Sequence, residues 1–306
     1  MQTLPGKLVQ DLTAAAHGKL KINEPLAAYT SYRIGGPTAL MVFPDSESEI
    51  AAILKIVHTN QTPLLVIGKG SNLLVSDHGW QGVTLCLGEN FSGWWFEEGR
   101  THAMAGSSLM DFIKACSTQG RAGLERLAGI PGTVGGALKM NAGAFGQEIG
   151  AVTATVYGCR IDGRPFSATG DEIDFGYRRA PRLDDIIITR SCFHLVKYHV
   201  ETLQEEIEKR LAQRTAKQPL DCPSCGSVFK RPDGHYAGAL IEAAGLKGKK
   251  IGGAMVSPKH AGFIVNNGKA TAMDVYGLIR LIEKKIKDDF GVALEREVKL
   301  IGRFDD

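Results

Sequence analysis

The apolar positions of this chain keep two different periods, and the change from one to the other marks its elements. A short apolar run over 39–43 predicts a strand. From Ser46 the spacing becomes helical, with Ile50, Ile53, Leu54 and Val57 on one face, and Ser46 with Glu49 has the form of a capping box. Runs over 63–67 and 83–87 predict two more strands, the first ending directly at Gly68-Lys69-Gly70-Ser71-Asn72. Leu109, Phe112, Ile113 and Cys116 form the stripe of a helix that stops at Gly120. Stretches over 151–160 and 186–196 are rich in β-branched residues and read as longer strands. A polar helix over 201–214 places Leu203, Ile207 and Leu211 inward and pairs Glu205 with Lys209 and Glu206 with Arg210 outward. Gln218-Pro219 then marks a boundary. Beyond it, helices over 236–244 and 273–290 and strands over 262–266 and 297–302 make a separate α+β set.

Length and composition narrow the class. A chain of 306 residues exceeds what one core serves comfortably, so two or three packed domains are expected. Hydrophobic residues at 43% and charged residues at 23% are the balance of a folded globular protein. The net charge of +3 is small and its Lys and Arg are dispersed, which argues against a nucleic-acid partner and suits a small anionic ligand. Residues 1–21 hold no apolar run of signal-peptide length and no stretch reaches membrane-spanning length, so no membrane partner is expected. Six cysteines, mostly within apolar or strand-like segments, read as reduced thiols of a cytoplasmic protein.

Glycine is the unusual component: 37 residues, clustered over 68–70, 129–150 and 226–268. The turn Gly68-Lys69-Gly70-Ser71-Asn72 follows a strand and could cradle an anion on its backbone N–H groups, although a tight turn alone would explain it equally. Its spacing fits neither the Walker loop nor the dinucleotide fingerprint. The segment 127–146, with Ile130, Pro131, Gly132, Thr133, Gly135, Gly136, Asn141 and Gly143, favours function over a structural loop, because each glycine costs conformational entropy. It reads as a backbone-lined channel, and with the first turn it could hold a large cofactor carrying a pyrophosphate.

Three further places are indecisive by themselves. Arg178 follows an aromatic residue and reads as an ordinary surface residue. Ser227 lies between Gly226 and an apolar pair, with Lys230 three residues on; a turn hydroxyl is the plain reading, and the Gly-x-Ser-x-Gly pattern is absent. Cys222-Pro-Ser-Cys225 invites a zinc reading, with His235 the only other nearby ligand. In a terminal strand, Glu295, Glu297 and Lys299 would share one face and Arg296, Val298 and Leu300 the other, the first being an ordinary solvated face.

In order along the chain, the motifs resemble one family. They are Tyr29-Thr-Ser-Tyr-Arg-Ile-Gly-Gly36, Gly68-Lys-Gly-Ser-Asn72, Ile130-Pro-Gly-Thr-Val-Gly-Gly136 and Gly176-Tyr-Arg178, then Gly226-Ser-Val-Phe-Lys230, His260-Ala-Gly-Phe-Ile-Val-Asn266 and Leu294-Glu-Arg-Glu-Val298. This series is similar to the UDP-N-acetylenolpyruvoylglucosamine reductases, also called UDP-N-acetylmuramate dehydrogenases. The resemblance implies an α+β fold: a two-subdomain FAD-binding fold of the vanillyl-alcohol-oxidase/PCMH type over 1–90 and 91–199, then a C-terminal substrate-binding domain over 200–306. It implies non-covalent FAD held by Gly68, Lys69, Gly70, Ser71 and Asn72 and by Ile130, Pro131, Gly132, Thr133, Gly135, Gly136, Asn141 and Gly143. NADPH would reduce the flavin and leave, and UDP-N-acetylglucosamine enolpyruvate would take its place.

By the same resemblance Arg178 and Glu297 stabilise the enol or enolate, and Ser227 protonates the carbon next to the one that receives hydride. Arg214 and Lys230 are candidate substrate-binding residues, Lys230 serving the proton supply of Ser227 or a phosphate; Lys217 and Lys259 are equally open candidates for the diphosphate. Two departures from the family pattern stand beside Ser227: Arg231 where Asn is common, and Ser224-Cys225 where Asn-Ala is common. The stretch between Ile188 and Lys217 is too short for the extra tyrosine-bearing loop of one branch, so the chain resembles the branch without it. No metal and a monomeric state are expected. Other readings remain open: a flavin oxidase of the same fold, a silent flavin- or UDP-sugar-binding module, and a zinc-binding interaction protein.

Overall fold

The computed structural model describes residues 4–304. Two compact units emerge, one formed by 4–22, 39–69 and 82–213, the other by 23–38, 70–81 and 214–304.

The first unit carries two main sheets. One has the order Leu20–Pro25, Pro37–Val42, Trp80–Cys86, Leu64–Ile67, the last two strands parallel and paired from Leu64 with Val83 to Ile67 with Cys86. The other is antiparallel throughout, in the order Pro165–Thr169, Thr153–Arg160, Ile186–Phe193, Arg100–Met104, Trp94–Glu97. The strand expected from 151 begins at Thr153 because Ile149–Val152 close a 3-10 turn. The strand expected to reach 196 ends at Phe193, and Val196-Lys197 pairs instead with Arg121-Ala122.

Three helices carry the apolar stripes seen in the sequence. Glu47–Thr59 buries Ile50, Ile53, Leu54 and Val57. Ser46 Oγ caps it, accepting from Glu49 N at 3.2 Å, but the reciprocal half of the capping box does not form. The Glu49 carboxylate accepts from Asp45 N at 2.9 Å and lies 3.0 Å from His17 Nδ1 and 3.9 Å from Lys19 Nζ. A carboxylate as buried as Glu49 is held best where a cation, here Lys19, also faces it. Leu109–Thr118 buries Leu109, Phe112, Ile113 and Cys116. In Val200–Lys217, Leu203 and Ile207 are buried, Leu211 packs beside the core, and Arg210 Nε donates to Glu206 at 2.7 Å.

The second unit has its own core. Leu240, Ile241, Val275, Leu278, Ile279, Ile282 and Ile286 are buried together with Tyr32, Ile34 and Leu74, which ties 23–38 and 70–81 to the C-terminal residues. The sequence placed both segments in the first flavin-binding part, because apolar contacts between residues so far apart leave no local period. The unit's C-terminal stretch begins at Arg214, inside the last turns of Val200–Lys217, rather than at Gln218-Pro219. Its sheet runs Lys250–Ile251, Ala254–Val256, Ile264–Asn266, antiparallel.

Helix Ala272–Phe290 starts on a Thr271/Asp274 capping box and ends at Gly291, whose φ of +71° is left-handed. Asp77 adds a second cap, accepting from the amides of Ala272 and Met273 at 2.8 and 3.1 Å. The final strand is Lys299–Ile301, parallel to Leu73–Val75, and shorter than expected from 297. Residues before it change partner: Lys230 N donates to Glu295 O and Glu297 N to Val228 O, both at 2.8 Å. Among the described residues, no helix is long and apolar enough to cross a membrane.

Candidate active site

In the first unit, the two glycine segments touch. A Cβ added to Gly68 would lie 2.5 Å from Thr133 Oγ1, so only glycine lets the strand end rest on that threonine. Thr133 caps the short helix Val134–Lys139, its Oγ1 accepting from Gly136 N at 3.2 Å. The loop is laid against 105–109: Leu109 N donates to Gly132 O at 3.1 Å, Val134 N to Ser107 O at 2.9 Å and Gly135 N to Ala105 O at 2.8 Å. The amides of Val134, Gly135 and Gly136 are therefore engaged inside the unit, and the channel is lined less by free backbone than the glycine count implies. Lys69, Pro131 and Gly136 are exposed, and Gly68, Ile130, Gly132, Gly135 and Gly143 are half-buried.

Asn141 is buried, with φ +41°. Its amide nitrogen donates to Glu148 Oε2 at 2.7 Å and to Gly176 O at 3.0 Å, while its oxygen accepts from Gly150 N at 3.0 Å. That side chain thus ties 141–150 to the turn that bears Arg178. Gly176 and Arg179 exchange backbone hydrogen bonds at 3.0 and 3.1 Å, leaving Tyr177 and Arg178 as the tip of a tight turn. Arg178 sits there at φ +54°, a region L-residues avoid at a cost of about 1–2 kcal/mol. Its Nη2 donates to Gly143 O at 2.9 Å, and its guanidinium lies 5.3 Å from the Tyr177 ring.

Ser227 and Glu297 belong to the second unit. Ser227 is exposed and bridges to Phe263, while Val228 N donates to Gly262 O at 2.9 Å and Val228 O accepts from Glu297 N at 2.8 Å. The two site residues therefore flank one short backbone ladder. Asn72 holds its far side: its amide nitrogen donates to Glu297 O at 3.0 Å, and its own carbonyl accepts from Lys299 N at 3.0 Å. Gly70, at φ +55°, rests on Tyr29, where an added Cβ would lie 2.2 Å from the carbonyl oxygen; Ser71 beside it is half-buried.

The loop before Ser227 is secured by residues to which the sequence assigned no role. Ser31 Oγ donates to Ser224 O at 2.6 Å, and Asn266 joins Tyr32 O and Pro223 O at 3.0 and 2.9 Å. The sole signal for them was their place in the motifs at 29–36 and 260–266. Burial pushes the Cys225 thiol up to about 12 and the Tyr32 phenol well above its ordinary value, and the two groups are neighbours. His260 accepts from Gly262 N at 3.2 Å on Nδ1, and burial lowers its pKa.

Of the basic candidates, Lys230 forms an ion pair with Glu295, Lys259 Nζ donates to Thr215 O at 2.6 Å, and Arg214 Nη1 lies 3.4 Å from Gln218 Oε1. The partner of Lys230 is an exposed carboxylate, an easily exchanged one. Among the described residues no group of three or more His, Cys, Asp or Glu side chains stands where it could hold a metal ion.

Comparison with known proteins decides the family. Residues 218–301 match the C-terminal domain of UDP-N-acetylenolpyruvoylglucosamine reductase, and residues 37–161 match an FAD binding domain. Proteins named UDP-N-acetylenolpyruvoylglucosamine reductase align over nearly their whole length. That of Clostridioides difficile (strain 630) is 39% identical, covering 92% of this chain and 93% of its own. The Listeria monocytogenes serotype 4a (strain HCC23) protein is 42% identical, covering 95% and 97%.

The chain belongs to the UDP-N-acetylenolpyruvoylglucosamine reductase family.

The crystal structure of the reductase from Thermus caldophilus matches with a TM-score of 0.76 at 30% identity, covering 92% of this chain and 98% of that one. An alkyldihydroxyacetonephosphate synthase matches at a TM-score of 0.51 and 13% identity, over 64% of this chain and 42% of its own, a likeness of fold alone. The fold is the FAD-binding type expected from the sequence, followed by the reductase C-terminal domain. The first unit fits a flavin in its own residues: a strand ends at Gly68, which lies directly on a second glycine-rich loop at Thr133, and the exposed Lys69 follows it.

Proposed function

We propose that this chain catalyses the FAD-dependent reduction of UDP-N-acetylglucosamine enolpyruvate to UDP-N-acetylmuramate with NADPH, a step in making peptidoglycan precursors, and that Ser227, Arg178 and Glu297 carry the chemistry. The supporting observation is the family match over 92% of the chain, with all three residues present in their motifs. FAD would be held by Gly68, Lys69, Gly70, Ser71 and Asn72 and by the loop from Ile130 to Gly143, and it would supply hydride drawn from NADPH.

The protein's own residues then have defined tasks. Hydride arriving at the terminal enolpyruvyl carbon leaves negative charge shared with the carboxylate. Arg178 is suited to meet that charge because its turn and its bond to Gly143 O fix the guanidinium before substrate arrives, and a preorganised cation avoids reorganisation during reaction. Glu297 shares the task as a hydrogen-bonding acid, its backbone locked by Val228 and Asn72. Ser227 gives its proton to the adjacent carbon, completing the saturated lactyl ether. Arg214 and Lys230 bind the substrate diphosphate, Lys230 exchanging Glu295 for a phosphate. The enzyme acts as a cytoplasmic monomer without nucleic-acid or membrane partners, in keeping with its small net charge of +3.

The test combines colour with kinetics. Purified protein should show flavin absorbance, and NADPH consumption should depend on the enolpyruvyl sugar; colourless protein that FAD cannot restore would sink the reading. Ser227→Ala should still let NADPH bleach the flavin while slowing turnover at least about a hundredfold, the usual scale for losing a general acid. Turnover within tenfold of wild type, about 1.4 kcal/mol, would remove Ser227 as the proton donor.

A further inference from the structure

Gly143–Ala144 and Gln147–Glu148 form a small antiparallel hairpin, with Ala144 opposite Gln147 and Gly143 opposite Glu148. The two-residue loop between them is Phe145-Gly146, with φ values of +52° and +79°. Such a loop favours Asn or Asp followed by Gly, since its first residue must also be left-handed. A phenylalanine there is a poor local choice, and its ring is not hidden: Phe145 remains 41% exposed.

The ring is nonetheless held in place. The Arg210 guanidinium lies 4.5 Å from the ring centroid, and Arg210 is itself fixed by Glu206 and by Gln213 Oε1 at 3.1 Å. Its charge is met by Glu206, and its side chain is only 15% exposed, so it supports the ring from the protein side. The arms of the same hairpin are tied down as well, Glu148 by Asn141 and Gly143 by Arg178. A left-handed aromatic residue, backed by a neutralised guanidinium on a braced hairpin, has the construction of a presented flat surface.

We propose that Phe145 is the stacking face for the nicotinamide ring of NADPH, a residue that binds and orients the reductant. This rests on the function proposed above. Gly143, the anchor of Arg178, lies two residues from Phe145, about 7 Å along a strand. Arg178 meets the group that receives hydride, and the nicotinamide must occupy that same position to deliver it first.

The proposal is tested on the FAD-loaded enzyme by stopped-flow measurement of each half-reaction. Phe145→Leu keeps the backbone strain and apolar character but loses the ring face. It should weaken NADPH about tenfold in the flavin-reduction step, the low end of what one stacked ring contributes. Reoxidation by the enolpyruvyl sugar and FAD content should stay within twofold, and Phe145→Tyr should keep NADPH within threefold. Phe145→Asn suits the turn better, so it should weaken NADPH as Leu does while its thermal midpoint holds or rises. Arg210→Gln, which removes the support only, should weaken NADPH about threefold.

Unchanged NADPH affinity in Phe145→Leu overturns the proposal. A loss that falls on the sugar step, or on FAD content, also overturns it by giving the ring another occupant. A clear drop in the midpoint of Phe145→Asn would make the ring a structural element and overturn it too. Wild-type enzyme that NADPH does not bleach would sink the parent function, and this assignment with it, whereas the other outcomes leave that function standing.

Discussion

The hairpin that anchors Arg178 and the ladder that carries Ser227 and Glu297 solve one problem by different means. Around Arg178 the backbone is forced into left-handed conformations at Asn141, Phe145 and Arg178, and half-buried hydrogen bonds from Asn141 to Gly176 O and from Arg178 to Gly143 O hold it there. Around Ser227 the left-handed residue is Gly226, at φ +81°, and the neighbours are placed by ordinary ladder bonds to Gly262 and Glu297. Strain that the surroundings overdetermine fixes a long, flexible side chain, which would otherwise lose its entropy on meeting substrate. A serine hydroxyl has one rotor, so a well-placed backbone suffices. The difference lies in how much freedom each functional group brings.

Substitutions can break that comparison, the largest effect first. Arg178→Lys keeps the charge and the turn but loses the planar fork that reaches Gly143 O, so turnover should fall about a hundredfold with FAD content unchanged. Steady-state kinetics with a visible spectrum checks it; full activity would show that charge alone matters there. Next come the paired glycines. Gly68→Ala forces a Cβ to 2.5 Å from Thr133 Oγ1 and should cost about 2–3 kcal/mol with loss of FAD retention. Gly226→Ala meets nothing within 4 Å and pays only for its φ of +81°, about 1 kcal/mol. Denaturant melts of both separate packing from conformation.

Asn72→Ala sharpens the assignment of the first turn. Its amide donates to Glu297 O, so its loss should cost about 1 kcal/mol and slow sugar turnover more than it lowers FAD content. The reverse ratio would return Asn72 to the flavin alone. The smallest effect concerns pH. His260 is held neutral by burial, below its ordinary 6.5, so the unfolded chain binds that proton more readily. Stability from this group is complete above pH 6.5 and fades as the pH falls below it. His260→Gln should flatten that acid limb in melts across the range.

How much was legible beforehand varied with distance along the chain. The helices at Ile50–Val57 and Leu109–Cys116 were visible because a repeating apolar stripe survives any tertiary context. The Ser46–Glu49 box was half right, since Glu49 took His17 and Lys19 as neighbours, contacts thirty residues away that no local rule contains. The number of glycines over 129–143 favours function there, yet Val134, Gly135 and Gly136 turn their amides to their own unit. Composition shows that glycines are needed but not which neighbour each must admit.

Periodicity, capping residues and the order of the motifs determined most element types and the family, because each is written in short stretches whose physics is local. Tertiary structure alone decided that 23–38 and 70–81 join the C-terminal core, that Asn72 braces Glu297, and that Asn141 and Gly143 hold the turn of Arg178. Those placements depend on burial and on buried polar groups finding partners. Both are settled only when distant segments pack, because water satisfies every such group until then.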